Sequence, residues 1–218
     1  LIIDYVLVDS LEILTLDPGV RVYLHKNAVF LVGGTLITNG SNELPVYFRS
    51  DRLEKEYEDI PGQWGGIYFL PGSTDNFLNY TVIRGGNFGI LADTFINKDV
   101  PVVTLTNSFV ANHSSFGLIA RGSNIFVANT VFADCGTSTI ALIWGGSYEF
   151  YHCTIANRWL YGKIRNTPAV FINNYYTDIN NNIQIRDINK AYFGNCIIHG
   201  NRQYEFEIDK DPAGIGLL

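Results

Sequence analysis

Methionine is absent from this chain of 218 residues, and charged side chains are scarce. They make up 17% of the residues, against about 25% in an average soluble domain. Helices need Lys, Glu and Arg on their exposed faces, so this shortage argues against a helical protein. A hydrophobic fraction of 47% argues equally against intrinsic disorder.

The chain also lacks long apolar runs and basic clusters. Without a stretch of about 18 apolar residues it has no predicted transmembrane helix. A net charge of -6 without a Lys or Arg run argues against nucleic-acid binding and against an electrostatic membrane-binding segment. The chain begins at Leu1 inside a strand pattern and shows no signal peptide, so we interpret it as a mature or partial chain.

Only three cysteines are present, at Cys135, Cys153 and Cys196, and their spacing fits no zinc motif. They are interpreted as small buried hydrophobic residues. A single disulfide, with Cys135 and Cys153 as the candidate pair, and a reactive thiol are the alternatives.

The chain is rich in Asn, Gly, Tyr and Phe, and it contains a repeat. Four segments share a short strand pattern that ends in a turn residue, and they cover 107–112, 129–134, 152–157 and 195–200. A second strand family lies between them, with Ile67, Ile90, Leu118, Ala141 and Val170 taken as equivalent. Loops from Asp93 to Pro101 and from Arg158 to Pro168 interrupt its spacing.

A period of about 22 to 23 residues with two or three strands is typical of a β-solenoid. The sequence therefore predicts an all-β fold, a right-handed parallel β-helix, as one domain over 1–218. Residues 1–16 are a candidate N-terminal cap, and 209–218 are a candidate tail or truncation. A β-sandwich is the structural alternative, because regularly spaced short strands also suit it.

Several motifs resemble right-handed β-helix surface lipoproteins of Gram-negative bacteria. They lie at 14–19, 34–36, 45–49, 61–67 and 146–154. The resemblance implies a location on the outer membrane, exposed at the cell surface and anchored by lipid. The lipid-bearing cysteine of that family would belong to a leader, and no such cysteine precedes Leu1.

The sequence does not show the catalytic and metal-binding residues of polysaccharide-cleaving β-helices. Hydrolases need two carboxylates at a defined separation across the scissile bond, and no predicted coil supplies such a pair. A lyase would need a calcium-binding cluster and a base, whereas the strands offer only Asp93 with Arg121 one coil on. We interpret that pair as a surface ion pair between stacked coils, which contributes little to stability. We therefore assign no catalytic residue, no metal site and no cofactor, and calcium has no support in the sequence.

Other polar features have structural interpretations. The four histidines are scattered, at His25, His113, His152 and His199. The acidic stretch 51–59 is interpreted as a solvated excursion, with a calcium-stabilised loop or a partner contact as alternatives. Asn107, Asn129, Asn173 and Asn195 are expected to stack from coil to coil and to hold turns in left-handed geometry.

The outward face of the second strand family is the predicted binding surface. If the five equivalent residues point inward, period-two alternation turns their neighbours outward. An apolar stripe of this kind is expected to be covered by the chain itself, by a protein or by a ligand. Its residues, with the polar and aromatic ones two positions on, are Tyr68, Leu91, Asp93, Ile119, Arg121, Leu142, Trp144 and Phe171.

Three functions follow from this surface. The first is a non-catalytic binding or scaffold protein, as an accessory subunit of an outer-membrane assembly with a protein partner. The second is a glycan-binding module, since rings such as Tyr68 and Trp144 can stack on sugars. The third is a lyase or hydrolase of acidic polysaccharide, which would need Asp93 and Arg121 close together in a cleft.

Overall fold

A computed structural model describes residues 1–93, 100–162 and 164–214. The chain winds through three long parallel sheets, visiting them in turn, and the predicted right-handed parallel β-helix is confirmed. Strands of the first sheet are β1 (Tyr5–Val8), β4 (Val29–Val32), β7 (Gly66–Phe69), β10 (Ile90–Ala92), β13 (Leu118–Arg121), β16 (Ile140–Ile143), β19 (Val170–Asn173) and β24 (Phe206–Asp209).

The other two sheets form the remaining sides of the solenoid. Strands of the second sheet are β2 (Ile13–Leu16), β5 (Thr35–Asn39), β8 (Asn76–Asn79), β11 (Val103–Thr106), β14 (Asn124–Ala128), β17 (Gly146–Tyr151) and β22 (Ile188–Gly194). Strands of the third sheet are β3 (Arg21–Leu24), β6 (Val46–Ser50), β9 (Thr81–Arg84), β12 (Phe109–His113), β15 (Val131–Cys135), β18 (Thr154–Asn157) and β23 (Ile197–Gly200).

Within the described residues, two excursions from the coils contain secondary structure of their own. A 3-10 turn (Lys55–Tyr57) lies between β6 and β7, and an antiparallel hairpin of β20 (Tyr175–Thr177) and β21 (Ile183–Ile185) lies between β19 and β22. Residues 94–99 of the predicted loop after Asp93, Lys163 of the later loop and 215–218 of the candidate tail lie outside the described residues. Within the part that is described, no helix is long and apolar enough to cross a membrane.

The core fills the inside of the solenoid as columns of stacked side chains. On the third sheet one column pairs Phe48, Ile83, Val110, Phe132 and Ile155 in register, and all five are fully buried. Since strand side chains alternate between faces, every second residue of each strand contributes to such a column. Each coil therefore packs chiefly on its two neighbours.

The corner between the second and third sheets repeats one backbone conformation. Its residues have a positive φ between 45° and 54°, and they are Tyr80, Asn107, Asn129, His152 and Asn195. Asn129 Nδ2 donates to Asn107 Oδ1 at 3.3 Å, and Asn107 Nδ2 donates to Asn79 Oδ1 at 2.8 Å. The predicted stacking of left-handed turns is confirmed at Asn107 and Asn129.

The prediction of a left-handed turn is confirmed at Asn195 and is wrong at Asn173. Asn195 shares the left-handed conformation, as predicted. Asn173 lies at the end of strand β19 instead, where its Oδ1 accepts a hydrogen bond of 3.0 Å from the Trp144 backbone N–H. The assignment of Asn173 to a turn was wrong, because in sequence the last residue of a strand cannot be distinguished from the turn residue that follows it.

A small side chain follows each left-handed residue and points inward. This column contains Thr81, Ser108, Thr130, Cys153 and Cys196. The Ser108 and Thr130 hydroxyls donate to the backbone oxygens two residues before them, at 2.7 and 2.9 Å. Cys153 and Cys196 make the same contact through Sγ, at 3.3 and 3.4 Å. These two cysteines thus replace a hydroxyl residue at the corner.

All three cysteines are free thiols. Cys135 and Cys153 are buried, and burial raises the pKa of the Cys135 thiol to about 12 and that of Cys153 to about 11. The interpretation as buried hydrophobic residues is confirmed for these two, while Cys196 is half-buried. Neither the disulfide nor a reactive, low-pKa thiol is found at Cys135 and Cys153.

The excursion after β18 is tied to the last coil by a buried ion pair. Arg165 Nη2 lies 2.6 Å from Glu205 Oε1, and the backbone N–H groups of Ala169 and Arg202 donate to the same carboxylate at 2.8 Å. Burial alone would raise the pKa of Glu205, but the hydrogen bonds from Arg165 and the two backbone groups lower it on balance.

We predict that Asn129→Val destabilises the protein by about 1–2 kcal/mol, because a β-branched side chain is strained in left-handed backbone. Asn129→Gly loses the same side-chain hydrogen bond without that strain, so it isolates the backbone contribution. Thermal unfolding of both variants measures the difference. Equal melting temperatures would contradict the left-handed corner at this position.

We predict that Glu205→Gln lowers stability at pH 7 by about 3 kcal/mol, since the Arg165 charge stays buried without its partner. The lowered pKa means that Glu205 stabilises the fold above its ordinary value of 4.5 and loses that effect as the pH falls through the folded-state pKa. The gap between wild type and variant should therefore shrink below pH 4.5. Urea unfolding at several pH values tests this, with Glu12→Gln, at an exposed glutamate, as control.

Candidate functional site

The outward face of the first sheet has the predicted strand phase on four of the five predicted strands, and β16 is the exception. Ile67, Ile90 and Leu118 pair in register and are buried in the core. Their neighbours Tyr68 and Leu91 are half-buried on the outside. Ile119 follows in the same outward column and is only 7% exposed. Phe171 lies further along, on β19, and is also half-buried.

Leu142 is a correction to the predicted face. Ile140, and not Ala141, pairs with Leu118 and Val170. A slip of one residue turns every side chain of a strand to the opposite face. Leu142 therefore lies in the core with no exposed surface, and the outward position between Ile119 and Phe171 is occupied by Ala141.

Trp144 is displaced by the same slip. Ile143, and not Trp144, is the strand residue opposite Arg121. Trp144 is a turn residue with φ of 67°, which follows the end of β16. Its indole nevertheless lies at the predicted face, because the Arg121 guanidinium sits 5.1 Å from the ring centroid.

Asp93 and Arg121 come together as the sequence predicted. Arg121 Nη1 lies 3.5 Å from Asp93 Oδ2, and both side chains are about 30% exposed, at 31% and 27%. The Tyr68 hydroxyl donates to the same Asp93 oxygen at 3.1 Å. Desolvation, followed by the Asp93 charge, raises the pKa of Tyr68, and Arg121 acts in the opposite direction. An ion pair this open to solvent contributes little to stability.

Two residues of this cluster were missed by the sequence analysis. Tyr176 packs on Trp144 with ring centroids 4.9 Å apart, and the Arg186 guanidinium lies 5.6 Å from the Tyr176 ring. Tyr176 comes from the hairpin strand β20, which lies outside the repeat, and Arg186 follows strand β21. No periodicity marks them, so only the three-dimensional path of the excursion brings them to Trp144.

A shallow groove of about 540 Å³ crosses the same face towards the β1 end. Apolar and aromatic side chains form most of it, and the charged groups Asp4 and Arg121 also line it. Its apolar and aromatic lining consists of Tyr5, Val29, Leu31, Tyr68, Phe88 and Leu91. The predicted residues Tyr68, Leu91 and Arg121 thus share one groove.

The histidines do not assemble. Burial lowers the pKa of His113 to about 3, so its imidazole is neutral at pH 7. His25 Nδ1 lies 2.7 Å from Asp51 Oδ2, and His152 occupies a left-handed corner. In residues 1–93, 100–162 and 164–214, no three His, Cys, Asp or Glu side chains form a group that could hold a metal ion.

Comparison of the chain with protein-family models, with curated proteins and with solved structures gives no match.

We predict that Asp93→Asn lowers the pKa of Tyr68, because the variant removes a nearby negative charge. Arg121→Ala should raise the same pKa, since a nearby positive charge is lost. NMR titration of the protein with carbon-13-labelled tyrosine measures both shifts, with the Tyr68→Phe spectrum as the assignment control. Shifts of the same sign in both variants would contradict the cluster geometry.

Proposed function

We propose that this protein is a non-catalytic binding scaffold that docks a protein partner on the outward face of the first sheet. The observation that carries the proposal is the apolar groove through Leu31, Tyr68 and Leu91, with charged groups beside it. Protein interfaces commonly have such an apolar centre and a polar rim.

The groove continues onto an exposed strand edge. Tyr5 and Leu7 of β1 are 63% and 44% exposed, and Ile3 before the strand is 69% exposed. Among the described strands, β1 pairs in the first sheet only with β4. An exposed edge with apolar side chains favours a partner that adds a strand, because its unpaired backbone groups provide hydrogen bonds.

The cell surface is the proposed location, and the protein is proposed to serve an outer-membrane assembly. The support is the resemblance of the motifs at 14–19, 45–49 and 61–67 to surface lipoproteins. A narrow solenoid suits such a role, since it presents long flat faces at a fixed spacing.

Carbohydrate binding on the same sheet is the second candidate. The stack of Arg121, Trp144 and Tyr176 favours it, because aromatic rings held at fixed spacing can pack against sugar rings. This candidate predicts that Trp144→Ala weakens polysaccharide binding and leaves protein docking intact.

Cleavage of acidic polysaccharide through Asp93 and Arg121 is a third candidate. Unchanged cleavage activity in Asp93→Asn and Arg121→Ala would show that neither residue takes part in such a reaction.

We expect native protein, purified from its membrane in mild detergent, to retain a stoichiometric partner. Leu91→Asp should abolish that association by placing a charge in the groove. Phe77→Asp is the matched control, because Phe77 is an exposed aromatic residue on the second sheet, away from the groove. Mass spectrometry identifies the partner, and binding of the purified pair measures the affinity.

The outcomes separate clearly. Loss of binding in Leu91→Asp alone supports docking at the groove. Equal loss in both variants, or a folded protein that elutes alone, contradicts the proposal and leaves carbohydrate binding as the first candidate.

A further inference from the structure

Arginine and tyrosine alternate on the outward side of the third sheet, near the β1 end of the solenoid. Arg21 of β3 pairs with Tyr47 of β6, and Tyr23 pairs with Arg49. Arg84 continues the pattern on β9. Each of the first two guanidinium groups therefore has a phenol ring on the adjacent strand.

A groove of about 290 Å³ lies over this part of the sheet. Small-molecule sites typically measure about 300–1,000 Å³, so the space suits a single sugar-sized unit. The excursion 51–63 forms one wall, and it contributes Arg52, Tyr57, Glu58 and Gln63 to the lining.

The wall is anchored by specific hydrogen bonds. Gln63 Nε2 donates to the backbone oxygens of Tyr57 and Ile60, at 2.6 and 2.7 Å. At the start of the excursion, His25 Nδ1 lies 2.7 Å from Asp51 Oδ2. The two Gln63 bonds brace the excursion internally, and the His25–Asp51 contact ties its start to the solenoid.

Carboxylates of the wall engage two of the four arginines. Arg84 pairs with Asp59, and Arg52 Nη2 lies 3.1 Å from Glu54 Oε1. The Arg52 guanidinium also stacks 3.7 Å from the Tyr57 ring centroid. Positive charge at these two positions is therefore already compensated within the protein.

Arg21 and Arg49 remain free for a ligand. Neither forms an ion pair or a side-chain hydrogen bond with the rest of the described chain. The pairing of Phe48 with Ile83 places Arg49 beside Arg84, whose charge Asp59 compensates, so Arg21 and Arg49 are the two uncompensated cations of the groove. Such cations are unexpected on a protein with a net charge of -6. They favour an anion bound from outside.

We propose that this groove binds an acidic sugar unit of a polysaccharide. The anionic group accepts hydrogen bonds from Arg21 and Arg49, because a guanidinium matches the geometry of a carboxylate or a sulfate. The sugar ring packs on Tyr23 or Tyr47. A ligand that carries one anionic group next to one sugar ring matches the alternating arginine and tyrosine side chains of the groove. The site lies on the third sheet and does not depend on the proposed protein partner.

Isothermal titration calorimetry tests the groove with four probes, which are a uronate oligosaccharide, a sulfated oligosaccharide, a neutral oligosaccharide and an acidic peptide. We expect saturable binding of at least one acidic oligosaccharide, weakened by added salt. Arg49→Gln should weaken it about tenfold or more. Asp59→Asn should strengthen it, since one of the two carboxylates beside Arg84 loses its charge while Glu58 stays at 4.0 Å. Misfolding cannot mimic a gain in affinity.

Matched controls make the result decisive. Arg158→Gln removes an exposed arginine elsewhere on the protein and should leave the affinity unchanged. The stronger of the two acidic oligosaccharides identifies the anion as carboxylate or sulfate. No binding of either one, equal binding of the neutral oligosaccharide, equal or tighter binding of the acidic peptide, or unchanged affinity in Arg49→Gln would each overturn the proposal.

Discussion

Each internal coil of this solenoid satisfies its backbone hydrogen-bonding groups by pairing in register with the coils on either side. Parallel pairing of this kind requires each coil to turn at the same place. The left-handed residues Asn107, Asn129 and His152 provide that common corner, and the small side chain after each one closes it from the inside. Val110, Phe132 and Ile155 each lie three residues after one of these corners, so the coinciding corners align this column of the core.

The same register organises the surface. A side chain that points outward stands beside the outward side chains of adjacent coils, so residues about one coil apart in sequence become neighbours. Tyr68, Asp93 and Arg121 meet in this way on the first sheet, and Arg21 and Tyr47 meet on the third. A binding surface on this fold is therefore a column of residues from several coils, completed by excursions such as the β20–β21 hairpin.

Much of the fold could be predicted because the repeat is strong between residues 107 and 200. The stacked asparagines followed from it, whereas the buried state of Cys135 and Cys153 followed from a spacing that fits no zinc motif. Leu142 was misplaced because the residues around Ala141 are all apolar, so alternation could not fix the phase. Register alone decided it, through the pairing of Ile140 with Leu118. The basic groove was missed since Arg21, Arg49 and Arg84 look like isolated cations in sequence, and their coils lack the asparagine corner.

The anchored excursion 51–63 separates ligand recognition from folding of the core within one chain. It leaves the solenoid after β6 and rejoins it at β7, so its length and composition do not alter the register of the coils. Closing a longer loop costs little additional free energy. Ligand preference at the basic groove can therefore diverge by replacement of one loop, while the core that folds the protein stays the same. The solenoid can therefore keep its fold while the ligand that it recognises changes.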